Sequence, residues 1–221
     1  MRGDKYGSHR VIFPTGLLPQ AAEKINNDPV ICTNEILIDV IALQPTATAF
    51  GRIKRECGGD KTKIAAAILE IVEERGKFQD PVSKSGGILI GRVKEIGADL
   101  KESAGVKVGD KIATLVSLSL TPLKIYEITD IDVDTEQVYC KADAVLFETG
   151  IYTKLPEDLD LLHVTQVGRI HTLIVRGSSD VIKSRLAAFQ PILMEALPLT
   201  LEEIFIYELG GEDYAVRDIM L

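Results

Sequence analysis

The side chains best suited to nucleophilic or metal chemistry in this chain are three cysteines, Cys32, Cys57 and Cys140, and three histidines, His9, His163 and His171. Metal sites and redox pairs need such residues at short separations, so that one turn or helix presents several at once. No two of these cysteines form a C-x-x-C pair, and the histidines are scattered. Reduced, inert thiols without a disulfide framework are what the spacing predicts. Cys57 stands apart, because Gly58-Gly59 and the basic turn Arg52-Ile-Lys-Arg55 beside it could favour a thiolate. His171 lies inside the apolar run Arg169–Arg176, where a structural histidine is expected. Glu127, Asp130, Asp132, Asp134 and Glu136 form an acidic run that could attract a cationic ligand, although such a run is ordinarily a solvated face.

Bulk charge narrows the chemistry further. Thirty-three acidic against 25 basic residues leave a net charge of −8 over 221 residues. A chain of that sign lacks the basic footprint that a phosphate backbone requires, so nucleic acid is excluded as a first reading. It is equally unsuited to adhering to acidic membranes. No apolar run approaches the roughly 20 residues of a bilayer span. The polar start, Met1 to Gly7, is not a secretory leader, so a cytoplasmic location is expected.

The elements that must position these residues are read from periodicity and punctuation. Residues 1–34 are an irregular lead-in broken by glycine and proline, with a possible first strand at His9–Phe13. Glu35–Leu43 is rich in β-branched residues between Asn34 and Pro45 and predicts a strand. Ile64, Ile68, Leu69, Ile71 and Val72 recur at helical spacing over Lys61–Arg75, with Asp60 as N-cap and Gly76 as C-cap. Gly86-Gly87 then leads into strands at Ile88–Ile96 and Lys111–Leu115. Ser117-Leu-Ser-Leu-Thr-Pro122 reads as an edge strand or a pocket-lining loop. Ile125–Val133 follows, then a closing hairpin of Val138–Ala142 and Ala144–Phe147 that turns at Asp143. Proline and acids within Ile151–Leu159 suggest a boundary near 155–167. Beyond it come a strand (Arg169–Arg176), a helix (Ser179–Phe189), a strand (Ile192–Leu197) and a helix (Leu201–Leu209), the last with Thr200 and Glu203 in a capping box. The architecture expected is mainly β with an α/β appendage: a compact β-barrel over residues 1–160, then a small β-α-β-α unit over 161–221.

Several segments together carry a family likeness. Tyr6-Gly-Ser-His-Arg-Val-Ile12, Asn34-Glu-Ile-Leu-Ile-Asp-Val40, Gly86-Gly-Ile-Leu-Ile-Gly91, the run Val108 to Ile125 with its Val-Ser-Leu-Ser-Leu-Thr-Pro core, and Leu146 to Leu159 resemble L-erythro-3,5-diaminohexanoate dehydrogenase, a medium-chain dehydrogenase of lysine fermentation. The likeness runs from about residue 2 to residue 159 and implies the GroES-like, substrate-side domain. The implied parent reaction oxidises a 3,5-diamino acid at one amino-bearing carbon by hydride transfer to NAD(P). The resemblance also implies that Thr46, Ser85, Ser117, Ser119 and Thr121 face the substrate cleft, where their hydroxyls could orient an amino or carbonyl group. Glu148, near the end of a strand, could pair with a substrate ammonium, and His9 lies within a matched segment. No catalytic residue is assigned.

What the family's second half requires is not found in this sequence. A nicotinamide nucleotide needs a Gly-rich turn from strand to helix N-terminus, and no G-x-G-x-x-G occurs. Gly86-Gly87 precedes a strand, which is the wrong context. The positions where zinc ligands often stand in medium-chain dehydrogenases read Gln44-Pro-Thr-Ala-Thr-Ala49 and Ser85-Gly-Gly-Ile88, so no metal is expected. Residues 169–221 resemble instead the C-terminal segment of an ABC-transporter ATPase subunit, without its nucleotide motifs. Three readings follow: a partial dehydrogenase inactive alone, with no cofactor of its own; a non-catalytic module for homo-oligomerisation or docking; and a gene-fusion product without activity.

Overall fold

The computed structural model describes residues 1–155, 160–167, 170–187 and 194–197. The chain divides into two compact units, Met1–Ile131 with Glu136–Glu157, and Asp132–Thr135 with Asp158–Leu221. In chain order the elements are β1 (Val11–Phe13), β2 (Lys24–Ile25), β3 (Glu35–Pro45), α1 (Ala47–Glu56), α2 (Lys61–Arg75), β4 (Gly87–Ile96), β5 (Lys111–Thr114), β6 (Leu123–Asp132), β7 (Gln137–Phe147), β8 (Tyr152–Lys154), β9 (Asp160–Val167), β10 (Ile170–Arg176) and α3 (Ser179–Ala187). Short 3-10 turns occupy Ser8–Arg10 and Ala98–Leu100.

The first unit is built on a six-stranded sheet of order β6-β7-β3-β4-β5-β8. β3 lies in its middle, antiparallel to both β4 and β7. Its burial explains its composition. Ile38, Val40 and Ala42 point inward while Asp39 and Ile41 point out, and residues beyond this alternation at either end are buried on both faces. Ile41 has no direct partner in either ladder, so the bulge sits at the one exposed apolar residue of the strand. Among the described residues the strands do not close on themselves. The β-barrel expected from sequence is here an open sheet with β6 and β8 as its edges, because no hydrogen-bonded ladder joins those two strands.

Helix α2 has the expected bounds and caps. Asp60 accepts hydrogen bonds from the Thr62 and Lys63 N–H groups, and Gly76 closes the helix at φ 70°. Ile64, Ile68, Ile71 and Val72 are buried, which is the stripe that the helical spacing marks. Three features differ from expectation. The basic turn around Cys57 is helical, because Ala49, Phe50 and Ile53 supply a buried face and Cys57 only caps its C-terminus. Val138–Ala142 and Ala144–Phe147 are one continuous strand, β7, since Asp143 stays paired opposite Asp39. Its carboxylate is taken up by Lys94 and by the Tyr126 hydroxyl, so it need not turn the chain. The turn lies earlier, after β6, where Glu136 adopts φ 57°.

In the second unit β9 and β10 form an antiparallel hairpin, with Ile170 opposite Val167 and Arg176 opposite Asp160. The segment expected as a boundary thus contributes a strand, and the described order is β-β-α rather than β-α-β-α. Met194–Leu197, within the strand expected at Ile192–Leu197, has no regular structure. The helix expected at Leu201–Leu209, with its Thr200 cap, lies outside the described residues.

Candidate functional site

The sequence-predicted hydroxyls meet around Gly86 and Gly87, where β4 begins. The end of β3 delivers Thr46, which caps α1 by accepting the Ala49 N–H at 3.3 Å. The Thr46 N–H in turn donates to the Gly86 carbonyl. On the other side the Leu118 N–H donates to the Gly87 carbonyl. A side chain at Gly86 would put its Cβ 2.8 Å from Ser117 Oγ and against the Ser119 nitrogen. Glycine is required here because two chain segments close on one strand end.

From Thr46 a line of hydroxyls runs into the protein. Thr46 Oγ1 lies 2.7 Å from Ser85 Oγ, and Ser85 Oγ lies 2.7 Å from Ser83 Oγ. Ser83 donates its hydroxyl to Asp80 Oδ2 at 2.7 Å and its N–H to the same oxygen. Asp80 is fully buried and is paired with Arg52 of α1, whose Nε donates at 2.8 Å. Burial alone would raise the Asp80 carboxyl, but Arg52 and the two Ser83 hydrogen bonds hold it below the ordinary carboxylate range. On the facing loop, Ser119 gives both its N–H and its hydroxyl to Ser117 Oγ, and Thr121 donates to the Ser117 carbonyl.

A half-open cavity of about 180 Å³ lies nearby in the chain. Tyr6, Leu18, Gln20, Thr121, Phe147 and Gly150 are among its walls, so of the predicted residues only Thr121 lines it. The Ser117–Pro122 segment is therefore the pocket-lining loop and not an edge strand. Behind the Gln20 wall stands Lys77, fully buried. Its Nζ donates to the Pro19 carbonyl at 2.6 Å and to that of Gln20 at 3.3 Å. Desolvation, helped by Arg75 and Lys84, pushes its pKa down to about 8.

Glu148 is placed elsewhere. Its Oε2 accepts from Arg2 at 2.7 Å and from Asn34 at 2.9 Å, which ties the N-terminal segment to the end of β7. The acidic run is likewise engaged. Glu127 pairs with Lys141, Asp130 with Lys61, and Asp132 accepts from two turn N–H groups. These acids converge on no common point.

A further cluster has no counterpart in the sequence reading. His9, Cys32 and Glu35 bring one nitrogen, one sulfur and one oxygen within 4.8 Å of one another. Glu35 is fully buried and accepts four hydrogen bonds: two from Arg10, at 2.7 and 2.6 Å, one from His9 Nε2 at 3.0 Å and one from the Cys32 N–H at 2.7 Å. The Asp4 N–H donates to His9 Nδ1, which places the ring proton on Nε2. All three ligand atoms are thus engaged, the Cys32 thiol lying 3.6 Å from His9 Nε2, and the donor set fits a structural network better than a metal ion. Burial would raise the Glu35 carboxyl, yet Arg10 and the Cys32 N–H hold it low. The three residues are 23 and 3 positions apart, a spacing that no motif marks.

The family described as L-erythro-3,5-diaminohexanoate dehydrogenase N-terminal domain matches residues 9–156. The chain belongs to that family. Among curated relatives, an L-erythro-3,5-diaminohexanoate dehydrogenase of Acetoanaerobium sticklandii is 60% identical over 159 residues, covering 72% of this chain and 46% of that protein. The enzyme of the same name from Fusobacterium nucleatum is 58% identical over 158 residues, with the same shares. The chain therefore spans about half the length of the relatives it matches. The family match ends at residue 156, so the transporter-like reading of residues 169–221 lies outside it. The hydroxyls about Gly86, the cavity and the His9–Glu35 network all fall inside it. No described helix is long and apolar enough to cross a membrane.

The described residues do not fit a nicotinamide nucleotide. Gly86-Gly87 opens strand β4, and the turn from β10 to α3 carries the single glycine Gly177. Neither offers the run of bare backbone at a helix N-terminus that a pyrophosphate needs.

Proposed function

We propose that residues 1–157 are the substrate-side domain of a 3,5-diaminohexanoate dehydrogenase, of GroES-like type, whose cleft wall is formed by Thr46, Ser85, Ser117, Ser119 and Thr121. The observation that carries this reading is the convergence of those hydroxyls on Gly86-Gly87, inside the matched segment. A diamino acid presents two amines and a carboxylate, and hydroxyls are suited to orient both without fixing a charge. The described residues supply this wall without a nucleotide floor, and NAD(P) is assigned to the second half of the family's proteins. Purified chain mixed with 3,5-diaminohexanoate and NAD(P) is expected to show no reduction at 340 nm. Adding the C-terminal half of the Acetoanaerobium relative as a separate polypeptide is expected to yield NAD(P)H. Turnover by the 221-residue chain alone would overturn the reading.

A second reading, self-association or docking, draws on the apolar surface beside β1. Ile12, Phe13 and Leu18 are each about half exposed, at 49, 56 and 56%. Sedimentation velocity over a hundredfold concentration range tests it, and a strictly monomeric protein would count against it.

A further inference from the structure

The direction of each hydrogen bond in the hydroxyl line follows from its buried end. A carboxylate has no proton to give, so Ser83 must donate to Asp80, as its geometry also requires. With its single proton spent, Ser83 Oγ can only accept from Ser85. Ser85, having spent its own, can only accept from Thr46. The line therefore runs one way, from Thr46 to Ser85 to Ser83 to Asp80. The Ser85 N–H also points to Ser83 Oγ, which fills the second lone pair there. At the outer end the accounting is unequal. Thr46 Oγ1 accepts the Ala49 N–H, so one lone pair remains open on Thr46 and one on Ser85. Neither has a proton left.

Ser117 has the opposite polarity. Its Oγ accepts twice from Ser119, and among the described residues nothing accepts its own proton. Thr46, Ser85 and Ser117 are all partly exposed. They stand on either side of Gly86, whose bare backbone separates them.

We propose that Thr46 and Ser85 are a fixed acceptor, and Ser117 a fixed donor, for a ligand that carries an amine N–H at one end and a carboxylate at the other. This rests on the substrate-side reading of the same residues and assigns each of them a polarity. Free hydroxyls rotate to suit either partner and cannot discriminate. Hydroxyls oriented by a buried carboxylate accept from amines and reject carboxylates, since turning one round breaks the whole line. Ser83 and Asp80 do not reach the ligand. They are positioning residues that set what the outer hydroxyls can bind.

Ser83→Ala tests this without altering any ligand-facing atom, because it cuts Ser85 from Asp80. Three probes are titrated into the purified chain while the backbone amide resonances of Ser85, Gly86 and Ser117 are followed: 3-aminobutyrate, butylamine and butyrate. In the wild type, 3-aminobutyrate is expected to shift all three amides. S83A is expected to weaken 3-aminobutyrate and butylamine about three- to ten-fold, the scale of one net hydrogen bond, and not to weaken butyrate, which the freed Ser85 proton can now meet. Thr46→Val should weaken the two amines in the same way. Equal changes for all three probes, or none, would overturn the relay while leaving the substrate-side reading in place. Failure of every probe to shift these amides in the wild type would remove both.

Discussion

Glu35 shows how a residue with no visible motif can hold a region together. Its carboxylate is buried against Arg10, which is itself only 5% exposed and also donates to the Asp28 and Val30 carbonyls. One guanidinium thereby fixes the loop that carries Cys32. Removing the carboxylate leaves that cation uncompensated, so Glu35→Ala is expected to cost about 3–5 kcal/mol, measured by urea unfolding. The folded-state pKa of Glu35 is lowered, so its contribution is complete above the ordinary carboxylate range and is lost as pH falls through the folded value. Lys77 also has a lowered folded pKa, but there the fold penalises the charged form instead of favouring it. Its folded pKa near 8 lies below the ordinary lysine value, so between about 8 and 10 the unfolded chain holds more protons. Its contribution therefore favours the fold increasingly as pH rises through that window, by a total on the order of 3 kcal/mol. The stability of wild type relative to Lys77→Met should rise over that range; a pH-independent difference would refute it. Cys140, buried and pushed up to about 12, is expected to resist thiol reagents until the protein unfolds.

At the level of elements, local signals were legible wherever local chemistry set the boundary. Helix α2 begins and ends where a capping aspartate and a glycine place it. Gly76→Ala is expected to cost about 1–3 kcal/mol in thermal unfolding, because φ 70° disfavours a Cβ and that Cβ would press on the Ile25 carbonyl. Asp60→Ala, which removes only the N-cap, should cost about 1 kcal/mol. Elsewhere a polar residue misled. Asp143 reads as a turn in a sequence but is an ordinary strand position once Lys94 and Tyr126 stand beside it. The run Arg52–Arg55 reads as a basic loop, yet Arg52 is drawn inward by Asp80 and the backbone stays helical. In both cases a partner distant in sequence removed the cost that the local reading assumed.

At the scale of the whole molecule, residues up to 157 carry the six-stranded sheet, both longer helices and every site residue named above. A chain ending at residue 157 is accordingly expected to unfold cooperatively with the same midpoint as the full chain, as followed by far-UV circular dichroism. A fall of more than about 4 °C, which exceeds the shift of roughly 1 kcal/mol in a domain of this size, would mean that the second unit contributes to that core.

The sequence by itself determined the β-rich class, the position of the central strand, the bounds of α2 and the family, because periodicity, caps and distinctive runs such as Ser117–Pro122 are written in adjacent residues. It also marked Thr46, Ser85 and Ser117 as candidates. Only the tertiary structure decided how the sheet ends, that Glu148 is bound by Arg2, and that Arg10, Lys77 and Asp80 lie buried. Such facts depend on which charges meet across 25 to 150 residues of chain, and composition carries no trace of that. The polarity of the hydroxyls is of this kind: it is set by one carboxylate, Asp80, whose burial no local pattern reveals.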